Sequence, residues 1–505
     1  MTDQFNLADY YVFSNIEAGR GGKTAILFED QAITYAEVAD KVSAVAAQLI
    51  ARGLLPEQRV LLCMQDRPEF VYAWFGAIKA GAVVTQINPL LPVADYSYYL
   101  GYVKPQFAFV DEASRGAFEA ARAMSRFQPE TVVAGDDFDA WLAGPADGAE
   151  PWPTRADDPA VWLFTSGSTG QSKGAVHTHS HFPFNTQVYA KDFIGVRESD
   201  VTLSGARLYF GYATGTNLMF PFAVGATTIL FREAPTAEKL FALIARHRPT
   251  VLTAVPTLIN KMLEAGGASP PDLSGIRFAW SAGEALPRDL HARWDATYGV
   301  PIIDGIGSAE SFHIYISNRP GDIRPGSLGK LVPGYEVKLL DDEGAPVPPG
   351  GVGTLYVRGD SAALYYHADY AKSVEHLRGG WIVSGDKFRQ DEDGYWYFEG
   401  RGDDLIKSGG IYVSPVEVEA CLTEHPAVHE CCVLGKPDAN GLEKPVALVV
   451  PAGSHDPAAL EAELIAFARG RLARYKVPHA ILFRAEVLPR NDRDKIDRKR
   501  LRKEI

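Results

Sequence analysis

The stretch Thr165-Ser-Gly-Ser-Thr-Gly-Gln-Ser-Lys-Gly174 puts glycines, hydroxyls and one lysine into a single loop. That combination suits phosphate. Glycines let backbone N–H groups turn toward an anion, hydroxyls donate further hydrogen bonds, and a lysine adds a mobile positive charge. Thr165, Ser166, Gly167, Ser168, Thr169 and Gly170 form the candidate cradle, with Lys173 as its cation. The order is not that of a Walker loop, because Ser172 precedes Lys173 and Gly174 follows it. A flexible Gly/Ser linker has a similar composition. The flanks favour a fixed cradle: Ala160-Val-Trp-Leu-Phe164 reads as a short buried strand, and Ala175-Val176 resumes apolar character.

Further stretches carry groups that could do chemistry. Asp304-Gly-Ile-Gly-Ser-Ala-Glu310 reads as a glycine-rich turn ending on an acid. Beside a phosphate site such an acid invites Mg2+, which takes oxygen ligands and keeps water and phosphates in its shell; the acidic first turn of a helix is the alternative. In Trp381-Ile-Val-Ser-Gly-Asp386 an apolar run is expected to stop on Asp386. That carboxylate suits ribose hydroxyls, or else caps a turn. Gly400-Arg-Gly-Asp-Asp-Leu-Ile-Lys-Ser-Gly-Gly410 offers the guanidinium fork of Arg401, a pivot position at Asp403, and glycines that permit close passage of a ligand. Leu488-Pro-Arg-Asn-Asp-Arg-Asp-Lys-Ile-Asp-Arg-Lys-Arg-Leu501 interleaves both signs and by itself reads as a solvated tail. His177, His179 and His181 alternate as on one face of a strand, but no acid or cysteine beside them completes a metal set.

The elements that must position these groups follow from periodicity. Short apolar runs at Ala25–Phe28, Val60–Cys63, Gln106–Val110, Thr227–Leu230, Val251–Val255 and Phe278–Trp280 alternate with helical patterns such as Tyr35 to Arg52 and Pro68 to Ala80. This predicts an α/β arrangement with parallel strands. Residues 134 to 158 read as a surface connection, and from about 320 to 400 short strands with Gly and Pro turns predict a β-rich subdomain. The expected organisation is a large N-terminal domain over 1–400, a hinge over 401–404 and a small, mobile α+β C-terminal domain over 405–505. In the last of these, helices Pro415–Leu422 and Pro457–Arg474 flank strands Cys431–Leu434 and Pro445–Val450. At 505 residues more than one core is required. A net charge of −13 argues against general affinity for nucleic acid or anionic membrane and leaves small molecules as partners. Cys63, Cys421, Cys431 and Cys432 lack CxxC spacing, no apolar run reaches the length of a membrane span, and a reduced cytoplasmic protein is expected.

In this order and at these separations the stretches resemble the acyl-adenylate-forming superfamily of acyl-CoA synthetases, adenylation domains and beetle luciferases, over nearly the whole chain. The resemblance implies a two-step reaction: a carboxylate attacks the α-phosphate of ATP to give acyl-adenylate and pyrophosphate, and a thiol then displaces AMP. By similarity, the Thr165–Gly174 loop holds the β- and γ-phosphates and Glu310 holds Mg2+. Ser281, Gly283 and Glu284 with Asp304, Gly305 and Ile306 line the adenine pocket, and Asp386 and Arg401 take the ribose. Lys495 matches the lysine that the small domain delivers for adenylation, and Asp403 matches the hinge about which that domain turns. The turn would bring Lys407, Ser408, Gly409 and Gly410 to the site to flank a pantetheine arm. Three departures stand out: Ser172 for proline in the phosphate loop, Ala309 for threonine before Glu310, with Ser308 as the one neighbouring hydroxyl, and Asp494 for the glycine before Lys495.

Within the superfamily the chain looks most like benzoate-CoA ligases, through Ala206-Arg-Leu-Tyr-Phe-Gly-Tyr-Ala-Thr-Gly215 and Gly305-Ile-Gly-Ser-Ala-Glu-Ser-Phe-His-Ile-Tyr315. Tyr212, Gly307 and His313 match positions bordering an aryl acid there, although Tyr209, Phe210 and Tyr212 also read as core packing. The resemblance implies ATP, Mg2+ and coenzyme A as reaction partners. A stand-alone enzyme loading a carrier protein, a ligase for a non-aromatic acid, and a homodimer all stay open.

Overall fold

The computed structural model describes residues 4–505 except 147, 167–171, 268, 403, 405, 409–410, 438–442 and 491–495, and gives the backbone alone at 166, 401, 407, 408, 411 and 412. Two mainly parallel sheets carry the large N-terminal part. In the six-stranded sheet, Glu130–Val133, Phe107–Val110, Arg59–Cys63, Val83–Gln86 and Pro159–Ser166 run parallel, and Ser172–Thr178 closes the edge antiparallel. Strands such as Phe107–Val110 and Val83–Gln86 are buried at every position, as expected where helices cover both faces. The nine-stranded sheet runs from Lys330–Leu331 through Ile314–Ser317, Ile302–Gly307 and Phe278–Ser281 to Thr24–Phe28 and Gln31–Thr34. Its inner strands are parallel and its ends antiparallel.

Local sequence explains the covering helices. Thr34 and Glu37 form a capping box that starts Tyr35–Ala51, and Val38, Val42, Val45 and Leu49 on one face are buried. That face lies so close to helix Pro68–Lys79 that a Cβ at Gly76 would come within 2.5 Å of Val45. After the parallel sheets comes a five-stranded antiparallel unit built on Val352–Arg358, Trp381–Gln390 and Trp396–Arg401. The C-terminal residues form a three-stranded sheet, Val428–Pro437, Glu443–Pro451 and Ala480–Phe483, flanked by helices Pro415–Thr423 and Pro457–Arg469. Arg498, whose guanidinium grips Glu419 and the Val433 carbonyl, fastens the last helix, Arg498–Glu504, to this sheet.

Several expectations need correction. The connection over 134–158 contains helix Asp136–Leu142, which buries Phe138 and Trp141. Asp304 lies in a strand rather than a turn, and the Trp381 run continues past Asp386 to Gln390. His177 ends a strand while His181 starts a helix, and the helix from Pro457 stops at Arg469. Among the described residues the four cysteines are buried free thiols, and no helix is long and apolar enough to cross a membrane.

Burial of histidine gives the fold a pH response. His179 Nδ1 accepts the Leu7 N–H at 3.1 Å, and burial pushes its pKa from 6.5 down to about 4. Between those values the unfolded chain binds a proton that the folded one refuses, so stability is lost as pH falls through the window, by up to about 3 kcal/mol for this group. His179→Gln should flatten the fall of the thermal unfolding midpoint between neutral pH and pH 4.5; an unchanged slope would assign the acid sensitivity elsewhere.

Candidate active site

The phosphate loop springs from a hairpin. Thr165 pairs with Lys173 and Ser166 with Ser172 across the antiparallel strands at the sheet edge. Gly167, Ser168, Thr169 and Gly170, like Asp403, Gly409, Gly410, Asp494 and Lys495, lie outside the described residues. Two tyrosines brace the returning strand: Tyr98 Oη donates to the Ser172 carbonyl at 2.5 Å, and the Gly174 N–H donates to Tyr102 Oη at 3.1 Å. The segment that follows strand Val352–Arg358 crosses the other side of this strand. The Val176 N–H donates to the Tyr365 carbonyl, and the Leu364 and His367 N–H groups donate to Val176 and Gly174, all at 2.9 Å.

That crossing sets Tyr366 between two charged groups. Its hydroxyl donates to Glu310 Oε1 at 2.7 Å, while Lys173 Nζ lies 5.3 Å from its ring centre and 4.0 Å from Asp369 Oδ2. Burial and the neighbouring Glu310 carboxylate push the Tyr366 hydroxyl far above its ordinary pKa, so it remains a donor. Glu310 itself occupies a single 3-10 turn, Ala309–Ser311, capped by the Ser308 hydroxyl, which accepts the Ser311 N–H at 3.3 Å. Ser308 is thus engaged in the cap next to the position where Ala309 carries no hydroxyl.

His177 anchors the same turn. Its Nε2–H donates to the Ala309 carbonyl at 2.7 Å, and its Nδ1 lies 3.1 Å from His181 Nδ1, which also faces the Thr178 N–H at 3.4 Å. Burial, then the neighbouring His181, push His177 down to about 3, so the pair is neutral near pH 7. Both ring nitrogens of His177 are spent on protein contacts. Among the described residues no group of three His, Cys, Asp or Glu side chains is placed to hold a metal. A single carboxylate at Glu310 still fits Mg2+, whose remaining oxygens come from phosphate and water.

The nucleoside candidates gather at the ends of neighbouring strands. Ser281 pairs with Asp304 across parallel strands and donates to its carboxylate at 2.7 Å, and burial raises Asp304 to about 7. Ile306 follows on the same strand, and Gly283, at φ +87°, has open space where a Cβ would stand. Glu284 meets a helix start: its Oε2 accepts from the N–H and hydroxyl of Thr257 at 3.0 and 2.8 Å, capping helix Pro256–Gly266. Asp386 pairs with Arg401 across antiparallel strands. Buried Tyr315 lies near both Asp386 and Glu310, whose charges add to burial in raising its hydroxyl pKa. For Arg401 and Ser408 only the backbone is described.

The acid-side candidates meet directly. The Tyr212 and His313 rings stack with centres 5.5 Å apart, and His313 Nε2–H donates to the Tyr212 carbonyl at 3.0 Å. Glycines make room for this: a Cβ on Gly215 would sit 2.3 Å from His313 Cδ2, and one on Gly307 2.3 Å from the His313 carbonyl oxygen. Behind them Asp66 accepts the Leu208 N–H at 2.9 Å and faces Arg207 at 3.7 Å, both side chains buried; burial raises Asp66 to about 6. A cleft lined by Asn88, Tyr99, Phe164, Ser172 and Phe210 separates the phosphate hairpin from this segment. The sequence reading overlooked Tyr366, Asp369, Tyr98 and Tyr102. Only the last two left a signal, an aromatic pair at helical i, i+4 spacing.

Asp66→Ala would leave Arg207 buried and unpaired, and should cost about 3 to 5 kcal/mol in urea unfolding; a loss below about 1 kcal/mol would show that the pair does not hold this segment.

Comparison with known proteins agrees with this geometry. The AMP-binding enzyme family model matches residues 13–367, and that of the AMP-binding enzyme C-terminal domain matches 417–495. A benzoate–CoA ligase of Thauera aromatica is 41% identical over 99% of this chain and 96% of its own. The crystal structure of an anthranilate CoA ligase in complex with anthranoyl-AMP superposes with a TM-score of 0.93 at 38% identity, covering 99% of this chain and 97% of that one. A benzoate CoA ligase from Burkholderia xenovorans LB400 gives 0.90 at 40% identity, over 99% of this chain and 100% of that one. The chain belongs to the AMP-binding enzyme family, the acyl-adenylate-forming enzymes that its phosphate loop and glycine-rich strand had pointed to.

Proposed function

We propose that this protein is an ATP-dependent acid–thiol ligase that activates a benzoate-like aromatic acid as acyl-AMP and passes the acyl group to coenzyme A. The observation that carries the reading is the juxtaposition of a charged end, Lys173 and Glu310 joined through Tyr366, with a neutral aromatic end at Tyr212 and His313. In the first half-reaction a carboxylate oxygen of the acid attacks the α-phosphorus of ATP, and the bond to the β-phosphate oxygen breaks to release pyrophosphate. The Thr165–Gly174 loop donates backbone N–H groups and hydroxyls to the β- and γ-phosphates, with Lys173 as counter-charge. Mg2+ at Glu310 neutralises developing phosphate charge when bound. Ser281 with Asp304, Gly305 and Ile306 face adenine, and Asp386 with Arg401 take the ribose hydroxyls. In the second half-reaction the thiol sulfur attacks the acyl carbonyl and AMP leaves with the bonding electrons.

The two halves need different groups at one place. Lys495 serves adenylation, and a turn about Asp403 replaces it with Ser408, Gly409 and Gly410 along the pantetheine arm. Residues 1–400 then act as the large domain and 405–505 as the moving one. The cleft beside Ser172 and Phe210 is the candidate route for the thiol. Four buried thiols suit a cytoplasmic setting.

Pyrophosphate release from ATP with benzoate, followed by discharge onto free CoA or onto a holo carrier protein, tests the reading; rapid discharge onto the carrier alone would replace CoA as acceptor, and no release with any aromatic acid would sink the proposal. Lys495→Ala should cut acyl-AMP formation about 100-fold or more while sparing thioester formation from supplied acyl-AMP, and an equal loss of both contradicts its role. Tyr366→Phe should raise KM for MgATP about tenfold with little change in KM for the acid; a change confined to the acid would put Tyr366 elsewhere in the mechanism.

A further inference from the structure

The turn that carries Glu310 ends in a strained corner. Phe312, at φ +66° and ψ −55°, holds a backbone conformation that is rare for a residue with a side chain, and its ring is buried against Phe182 and Phe220, with centres 4.1 and 6.3 Å away. Such a conformation persists only where its surroundings over-determine it, and functional sites are where it collects. Three carbonyls around the corner are tied down. The Ser361 hydroxyl donates to the Ser311 carbonyl at 2.8 Å, the Ser311 hydroxyl donates to the His313 carbonyl at 2.8 Å, and Asn185 Nδ2 donates to the Ile314 carbonyl at 2.9 Å. Beside them the Ala363 N–H donates to the Glu310 carbonyl at 2.7 Å.

One of these bonds is the end of a chain. A hydroxyl has one hydrogen, and Ser361 spends its own on Ser311, so the contact of 2.6 Å between Tyr335 Oη and Ser361 Oγ must be a donation from the tyrosine. Tyr335 Oη in turn accepts from Asn185 Nδ2 at 2.9 Å. Burial pushes the Tyr335 hydroxyl up to about 12, so it keeps its proton. The order Asn185, Tyr335, Ser361, Ser311 therefore runs one way, through residues that are all buried. They come from the helix ending at Asn185, the loop before strand Glu336–Leu340 and the segment after strand Val352–Arg358. In such a chain each bond polarises the next, and the low interior dielectric makes the loss of one member costly. We propose that Asn185, Tyr335 and Ser361 are positioning residues for Glu310: their one-way chain, delivered to the peptide beside it, holds the strained turn so that the Glu310 carboxylate stands where it meets Mg2+ on the nucleotide phosphates. The proposal rests on the reading that Glu310 holds the metal, and it makes the three residues act through the turn.

The test is ATP binding by the full-length chain, followed calorimetrically with no organic acid present, in Mg2+ and again in EDTA. In Ser361→Ala the gain in affinity that Mg2+ gives the unaltered protein should shrink about tenfold, while Kd in EDTA stays within about twofold. Pyrophosphate release with an aryl acid should fall by a similar factor, and thioester formation from supplied acyl-AMP, which involves no β- or γ-phosphate, should hold. Tyr335→Phe keeps the ring and removes the donor to Ser361, so it should move the Mg2+ gain in the same direction and provides the measurement should the serine variant not fold. An unchanged Mg2+ gain in a folded variant, or an affinity lost equally in Mg2+ and EDTA, overturns the proposal while leaving the ligase reading intact. If Mg2+ adds nothing to ATP binding in the unaltered protein, Glu310 does not hold the metal, and the proposal falls together with that reading.

Discussion

A short length of backbone crossing the phosphate hairpin governs the rest of the site. Hydrogen bonds of Leu364, Tyr365 and His367 to Val176 and Gly174 fix its register, so Tyr366 has no choice but to stand over Lys173 with its hydroxyl on Glu310. The contact joins the six-stranded sheet, which carries the lysine, to the Glu310 turn at the end of the nine-stranded sheet, through a segment that belongs to neither. On the proposed reading, two groups that act on one polyphosphate would thereby be spaced before any nucleotide arrives, which removes part of the ordering cost from binding.

From that point the site divides by polarity. Beside the hairpin it is charged, with Lys173 facing Asp369 and linked to Glu310 through Tyr366. Around Tyr212 and His313 it is aromatic, and burial holds His313 and His177 neutral. On the proposed reading, a neutral end would take a flat ring without competing for its carboxylate and would strengthen the interactions of groups that develop charge at the boundary. The glycines at 215 and 307 belong to this division, since each removes a Cβ that would collide with His313.

The C-terminal unit is built for a different task. It has its own core, closed by Ala480–Phe483 and by the grip of Arg498 on Glu419. Arg490 and Ile496 form an antiparallel bridge next to the last helix.

Composition and periodicity by themselves determined the parallel α/β layers, the β-rich insertion and the small α+β end, because each is encoded locally in hydrophobic spacing. The sequence also carried the aryl-ligase likeness, at Tyr212 and His313. Only the tertiary structure decided which polar groups meet. Tyr366 is 56 residues from Glu310, and nothing local marks it. Glu284, read as a nucleotide residue, caps a helix, and the three histidines that look like one strand face are divided between a strand end and a helix start. Long-range pairing is set by how sheets and crossing segments pack, and packing depends on surfaces summed over the whole chain, which no stretch of residues records on its own.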